Sequence, residues 1–125
     1  MLKSRIKAEQ LLRKNKGVLF VSLYEKLSAD EMAEIMVVVR FFERLHIYTA
    51  NKQVDPKVVA DLFGENFVYY QTHYLRAGFQ GSWKVASQLE ALFAWFKSNT
   101  DKAEFDRWIG LSDQHRMDLE ANAPQ

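Results

Sequence analysis

Apolar residues recur along this chain at helical spacing, most densely between Ser28 and Tyr74. Placed at about 100° per residue, Met32 to Tyr48 set Ile35, Val39, Phe42 and His46 along one stripe. Val38, Phe41, Leu45 and Tyr48 widen the apolar arc on one side, while Arg40 and Arg44 mark a narrow wet side with Glu43 at its edge. A helix this apolar needs neighbours on several sides. The pattern therefore predicts an all-α, single-domain bundle of five or six helices, with a central, mostly buried helix near 29–49.

Start signals support these elements. Ser28 with Glu31 reads as a capping box, the hydroxyl accepting from the Glu31 amide while the carboxylate reaches back. Asp55-Pro56 opens the next helix, since aspartate satisfies free amides and proline at the first position loses no helical bond. Asn51, Lys52 and Gln53 form a turn of the length that joins antiparallel neighbours. Val59, Phe63, Phe67, Tyr70 and Tyr74 then continue at helical spacing to about Arg76, with Gly64-Glu65-Asn66 as a place to kink or split.

Elsewhere, 2–15 is expected to be helical, with Leu2, Ile6, Leu11 and Leu12 as a modest stripe and Gly17 as its stop. Val18 to Lys26 fits either period, and the lack of any hairpin signal favours helix. Ala77-Gly78-Phe79-Gln80-Gly81 reads as loop. Ser87 with Glu90 is expected to open a helix facing the core through Leu89, Leu92, Phe93 and Phe96. Asp101 with Glu104 opens a short last helix using Phe105, Trp108 and Ile109, so that the domain is expected to span 1–111. Residues 112–125 read as a polar tail that frays.

Composition and charge narrow the function classes. At 125 residues, 48% hydrophobic and 14% aromatic, the chain has enough apolar matter for one packed domain. It has no cysteine, which excludes disulfides, thiolate metal sites and thiol catalysis. No apolar run reaches the roughly 20 residues needed to span a bilayer, and the start lacks the plan of a signal peptide, so a cytoplasmic location is expected. Net charge is +1, yet the charge is polarised. Lys3, Arg5, Lys7, Arg13, Lys14 and Lys16 face the single acid Glu9, giving +5 over the first 16 residues and −4 over the rest. Such a basic arm fits phosphates or an acidic partner, and equally the solvated face of a first helix.

The stretch from Val38 to Tyr74 resembles a family of small bacterial helical domains whose function is uncharacterised. The motifs that carry the likeness are Phe41-Phe42-Glu43, Asp55 with Val59, Leu62-Phe63-Gly64, and the aromatic run Tyr69 to Arg76; the likeness covers roughly residues 25–97. It implies a helical fold and no chemistry, because the family offers no catalytic residue to carry over. Members often have a membrane helix before the domain, which this sequence does not show, and Arg40 stands where the pattern expects a small polar residue.

Candidate chemistry is sparse. Glu43-x-x-His46 has the spacing of a di-iron ligand pair, but no second copy exists; a core-edge hydrogen bond between the two, or with Arg40, is the expected role, and no metal or other cofactor is expected. Tyr69, His73 and Arg76, amid Tyr70 and Tyr74, read as a binding face; the alternative is that Tyr70 and Tyr74 belong to the core stripe with their hydroxyls at the surface. Phe79 and Trp83 read either as an aromatic loop offered to a partner or as a lid over the bundle end. Neither a phosphate loop nor a nucleophile elbow is present. The expected function is a non-catalytic protein-interaction or regulatory module, an adaptor or inhibitor binding another protein. A nucleic-acid role for the basic arm is the alternative, and a metal-dependent site at Glu43 and His46 comes third. A homodimer is expected, because three tryptophans and nine phenylalanines exceed what a small bundle easily hides.

Overall fold

The computed structural model describes residues 2–122, and the side chains of 6–119, 121 and 122 among them. Seven helices and no strand occur among the described residues. They are α1 (Leu2–Lys14), α2 (Phe20–Lys26), α3 (Ala29–Ala50), α4 (56–78), α5 (Trp83–Ser98), α6 (Lys102–Ile109) and α7 (Asp113–Ala121). The fold class is as expected, with more helices than the five or six predicted. No helix among the described residues is long and apolar enough to cross a membrane.

The central helix forms where the pattern puts it. Ser28 caps α3 through the reciprocal box with Glu31, at 3.1 and 3.0 Å. Met32, Ile35, Val38, Val39, Phe42, Leu45 and Thr49 are buried along it, and α3 packs on α1, α2 and α5. Phe42 also meets Phe67 and Tyr70 of α4, at 4.8 and 5.8 Å between ring centroids. The outer side is wider than predicted: Val37, Ile47 and Tyr48 are about half exposed.

Helix α4 is one continuous rod that carries two π turns, Ala60–Gly64 and Gln71–Leu75. The backbone stays right-handed helical through each junction, so Gly64 neither splits nor ends it. Glycine is needed at 64 because the Trp108 ring of α6 lies where a Cβ would go. Gly78 does the same for Phe20 of α2. Each glycine lets a large ring touch the α4 backbone, fixing α6 near the middle of the rod and α2 at its C-terminal end.

Three local expectations change. Ser87 lies inside α5, which begins at Trp83 after Ser82; Glu90 is drawn to Arg76 and Gln71 instead of a cap. Ala77 and Gly78, read as loop, are instead the last helical residues of α4. Residues 113–121, expected to fray, form α7, because Asp113 and Arg116 find charged and polar partners on α1 and α4. Residues 123–125 of that tail lie outside the described residues.

Gly64→Ala is expected to cost roughly 1–3 kcal/mol, since Trp108 must move from a packed site. Gly110→Ala, whose Cβ meets only backbone oxygens at 3.6 Å, is the control and should change stability little. Urea denaturation of both variants measures the difference.

Candidate functional site

The densest chemistry lies on a seam between α1, α4 and α7. Tyr69 and Tyr74 stand five residues apart on α4, a spacing that an ordinary α-helix splays by about 140°. The π turn at Gln71–Leu75 adds a residue to the turn and closes that angle. The two hydroxyls come within 2.8 Å of each other. Both donate to Oδ1 of Asp113 at the start of α7, Tyr74 at 2.7 Å and Tyr69 closer still. Lys16 Nζ donates to the other carboxylate oxygen at 3.1 Å.

His73 completes this cluster. Its Nε2 lies 2.9 Å from the Leu111 carbonyl, which only accepts, so Nε2 carries the proton. Nδ1 is then free to accept from Lys16 at 3.4 Å. Beside it, Glu9 of α1 is nearly sealed from water, 2% exposed. Arg116 of α7 reaches it with two nitrogens, at 2.9 and 3.3 Å, and Arg13 adds a contact at 3.1 Å. The Arg116 guanidinium also lies over the Tyr69 ring at 5.0 Å.

Tyr69, Tyr74, Asp113 and Arg116 are shifted away from neutrality. Burial pushes the Tyr69 hydroxyl far above the usual phenol range, and its bonds to Asp113 and Tyr74 add to the effect. Burial likewise raises Tyr74, whose net position is about 12. Burial opposes ionisation of Asp113, but the hydrogen bonds from Tyr69, Tyr74 and Lys16 outweigh it and hold the carboxyl near 2. Burial also disfavours the Arg116 charge, and the Glu9 carboxylate more than offsets it. Two neutral phenols, the Asp113 carboxylate and the Arg116 cation thus coexist across the middle pH range. The arrangement holds protons in place and has the chemistry of a lock between helices.

The expected binding face is rearranged. Tyr69 is wholly buried and His73 turns inward, because the π turn brings Tyr69 round to Asp113 while the Leu111 carbonyl holds His73. Arg76 is at the surface, paired bidentately with Glu90 at 2.7 and 3.0 Å. Phe79 is buried, 4.3 Å from the Phe20 ring, so it acts as a lid and offers no surface. Trp83 alone of that pair is open, at 87% exposure.

In the basic arm, Lys7 and Lys14 are exposed, Arg13 is half-buried on Glu9, and Lys16 serves Asp113. The side chains of Lys3 and Arg5 lie outside the described residues. Glu43 and His46 are half-buried without a hydrogen bond or ion pair between them or to Arg40 among the described residues. They stand at the edge of the core, where water can serve both, so neither needs the other. No group of three or more His, Asp or Glu side chains that could hold a metal occurs among the described residues.

Two depressions lie among the described residues. A polar cleft of about 720 Å³ lies between the first π turn and α6, edged by Lys57, Asp61, Glu65, Asp101, Glu104 and Arg107. An apolar groove of about 500 Å³ runs between α2 and α3, lined by Tyr24, Leu27, Met32, Ala33, Met36 and Val37. Comparison with protein-family models, with curated proteins and with solved structures finds no match for this chain.

The seam gives two stability predictions. Arg116→Met leaves the buried Glu9 carboxylate with Arg13 as its one charged partner among the described residues and is expected to cost roughly 3 kcal/mol, most of it recovered in the Glu9→Met, Arg116→Met double variant; chemical denaturation of the three proteins checks this. Asp113 is held near 2, below its ordinary 3.8, so its contribution is present above that value and lost as pH falls from about 4 to 2. Amide exchange in α7 should accelerate over that window in the native chain, while Asp113→Asn should already exchange fast at pH 7.

Proposed function

We propose that this chain is a non-catalytic protein-interaction module, an adaptor or inhibitor that binds another protein through its surface. The observation that carries the reading is a division of labour among its side chains. Groups with chemical potential, namely Tyr69, His73, Tyr74, Asp113, Glu9 and Arg116, are spent on joining helices. An acid–base catalyst needs a group poised near its working pH, and Asp113 and Tyr74 are displaced to about 2 and about 12. Large apolar side chains meanwhile face outward where α3 ends and α4 begins: Ile47, Tyr48, Val58 and Leu62 are all half exposed or more. Aromatic and aliphatic side chains gathered in this way are how partner surfaces are built. The likeness of residues 25–97 to an uncharacterised bacterial helical family belongs to the same proposal and adds no chemistry to it.

The nucleic-acid alternative is weaker because Arg13 and Lys16 already serve Glu9 and Asp113. Reversing these two to glutamate would set like charges against buried or half-buried acids and release α7, so a phosphate test must use Lys7 and Lys14, which are exposed.

Affinity capture with the native chain and with a Tyr48→Asp, Leu62→Asp variant tests the proposal. Both positions are exposed, so circular dichroism should be unchanged. A protein retained by the native chain and lost at least tenfold from the variant is expected. Identical capture by both, or a turnover activity abolished by one seam substitution that leaves the fold intact, would overturn the reading.

A further inference from the structure

A second surface is independent of the α3–α4 end. The outward side of α3 carries Ala29, Ala33, Met36 and Val37 in its first half, beside Val21 and Tyr24 of α2. Val21 is 70% exposed, Tyr24 62% and Val37 50%. Of these, Tyr24, Ala29, Ala33, Met36 and Val37 line the groove between α2 and α3. The nine phenylalanines are all buried or half-buried within the bundle, so they leave nothing for a partner to cover, and Tyr24 and Val37 supply the uncovered apolar area on this side.

The charges flanking this stripe say what covers it. Asp30 lies at its N-terminal side and Arg40 at its C-terminal side, both exposed, and neither has an ion-pair partner among the described residues. Ten residues of helix separate them by about 15 Å, too far for them to neutralise each other. A helix with an anion before an apolar stripe and a cation after it is complementary to its own reversed copy. Laying two α3 helices antiparallel, crossing at the level of residue 35, brings Arg40 to Asp30 of the partner subunit, twice by symmetry. The same register sets Val37 opposite Ala33 of the partner subunit, a large side chain against a small one, as ridges into grooves require. The surface is thus self-complementary in shape and in charge, as a twofold interface demands.

We propose that the chain forms a homodimer through antiparallel α3 helices, with the α2–α3 groove of each subunit filled by Val37 and the aliphatic stem of Arg40 from its partner. The α3–α4 ends point away from this contact in opposite directions, leaving both open.

Sedimentation equilibrium of the full chain should give twice the 14.6 kDa chain mass. Val37→Arg should raise the dissociation constant at least about tenfold. Asp30→Arg and Arg40→Asp should each raise it about three- to tenfold, within the range of paired exposed ion pairs. The charge-swapped double variant should return to within about twofold of the native chain, because the pair is restored across the interface. All positions are exposed, and circular dichroism confirms that the variants fold. A single-chain mass at every concentration, a dimer indifferent to Val37→Arg, or a double variant as weak as its parents combined would overturn the proposal. Each result is separate from the capture experiment, whose substitutions lie at the other end of α3.

Discussion

A carboxylate almost closed off from water cannot stay charged unless cations come to it, and Glu9 imposes that requirement on the whole chain. Arg13 supplies one contact from the same helix. Arg116 supplies the rest from more than a hundred residues away, and to deliver it the chain must finish with a helix lying against α1 and α4. The Arg116 guanidinium then has the Tyr69 ring as its floor, which in turn requires that Tyr69 be turned inward. The π turn satisfies this by carrying Tyr74 to the same place, so that both hydroxyls serve Asp113. Removing water from one acid thus selects the partners of three helices. An apolar pair in the same place would pack as well, but it would not require α7 to begin at Asp113.

Some of this is legible in the sequence, and the boundary has a physical cause. Ser28, Glu31 and the periodic run from Met32 to Leu45 report local preferences, and α3 obeys them. Asp55-Pro56 likewise opens α4 as expected, with Asp55 accepting from Lys57 at 3.0 Å. Ser87 and Glu90 have the same local signature as Ser28 and Glu31 yet make no cap, because Arg76 offers Glu90 a bidentate partner that a backbone amide cannot match. Residues 112–121 read as tail since their inward side chains are an aspartate and an arginine. Apolar periodicity cannot detect a helix that docks through its charges. The one available signal was Glu9, a lone acid among six cations.

The π turns escape pattern analysis for a related reason. A period of 3.6 residues assigns Tyr69 and Tyr74 to different faces, which is why Tyr69 and His73 could read as a surface. Widening one turn moves Tyr69 into the seam and closes that surface. Tyr24 with Val37, and Ile47 and Tyr48 with Val58 and Leu62, then remain open for recognition. The first pair lies beside the start of α3 and the second group where α3 ends and α4 begins, so both ends of α3 contribute to a surface.

Helix α7 is fastened by its polar side: Asp113 and Arg116 face inward, and Met117 and Leu119 are exposed. Releasing it would therefore uncover little apolar area. Heat-capacity change and the slope of a denaturant titration both scale with such area, so the loss of this helix would leave both nearly unchanged even where it lowers stability. Dissolved salt acts on charge instead, and screening would loosen the more open Lys16–Asp113 contact before the sealed Glu9–Arg116 one. The last turn of the fold is thus a segment whose attachment answers to ionic conditions while the apolar core beneath it answers to heat.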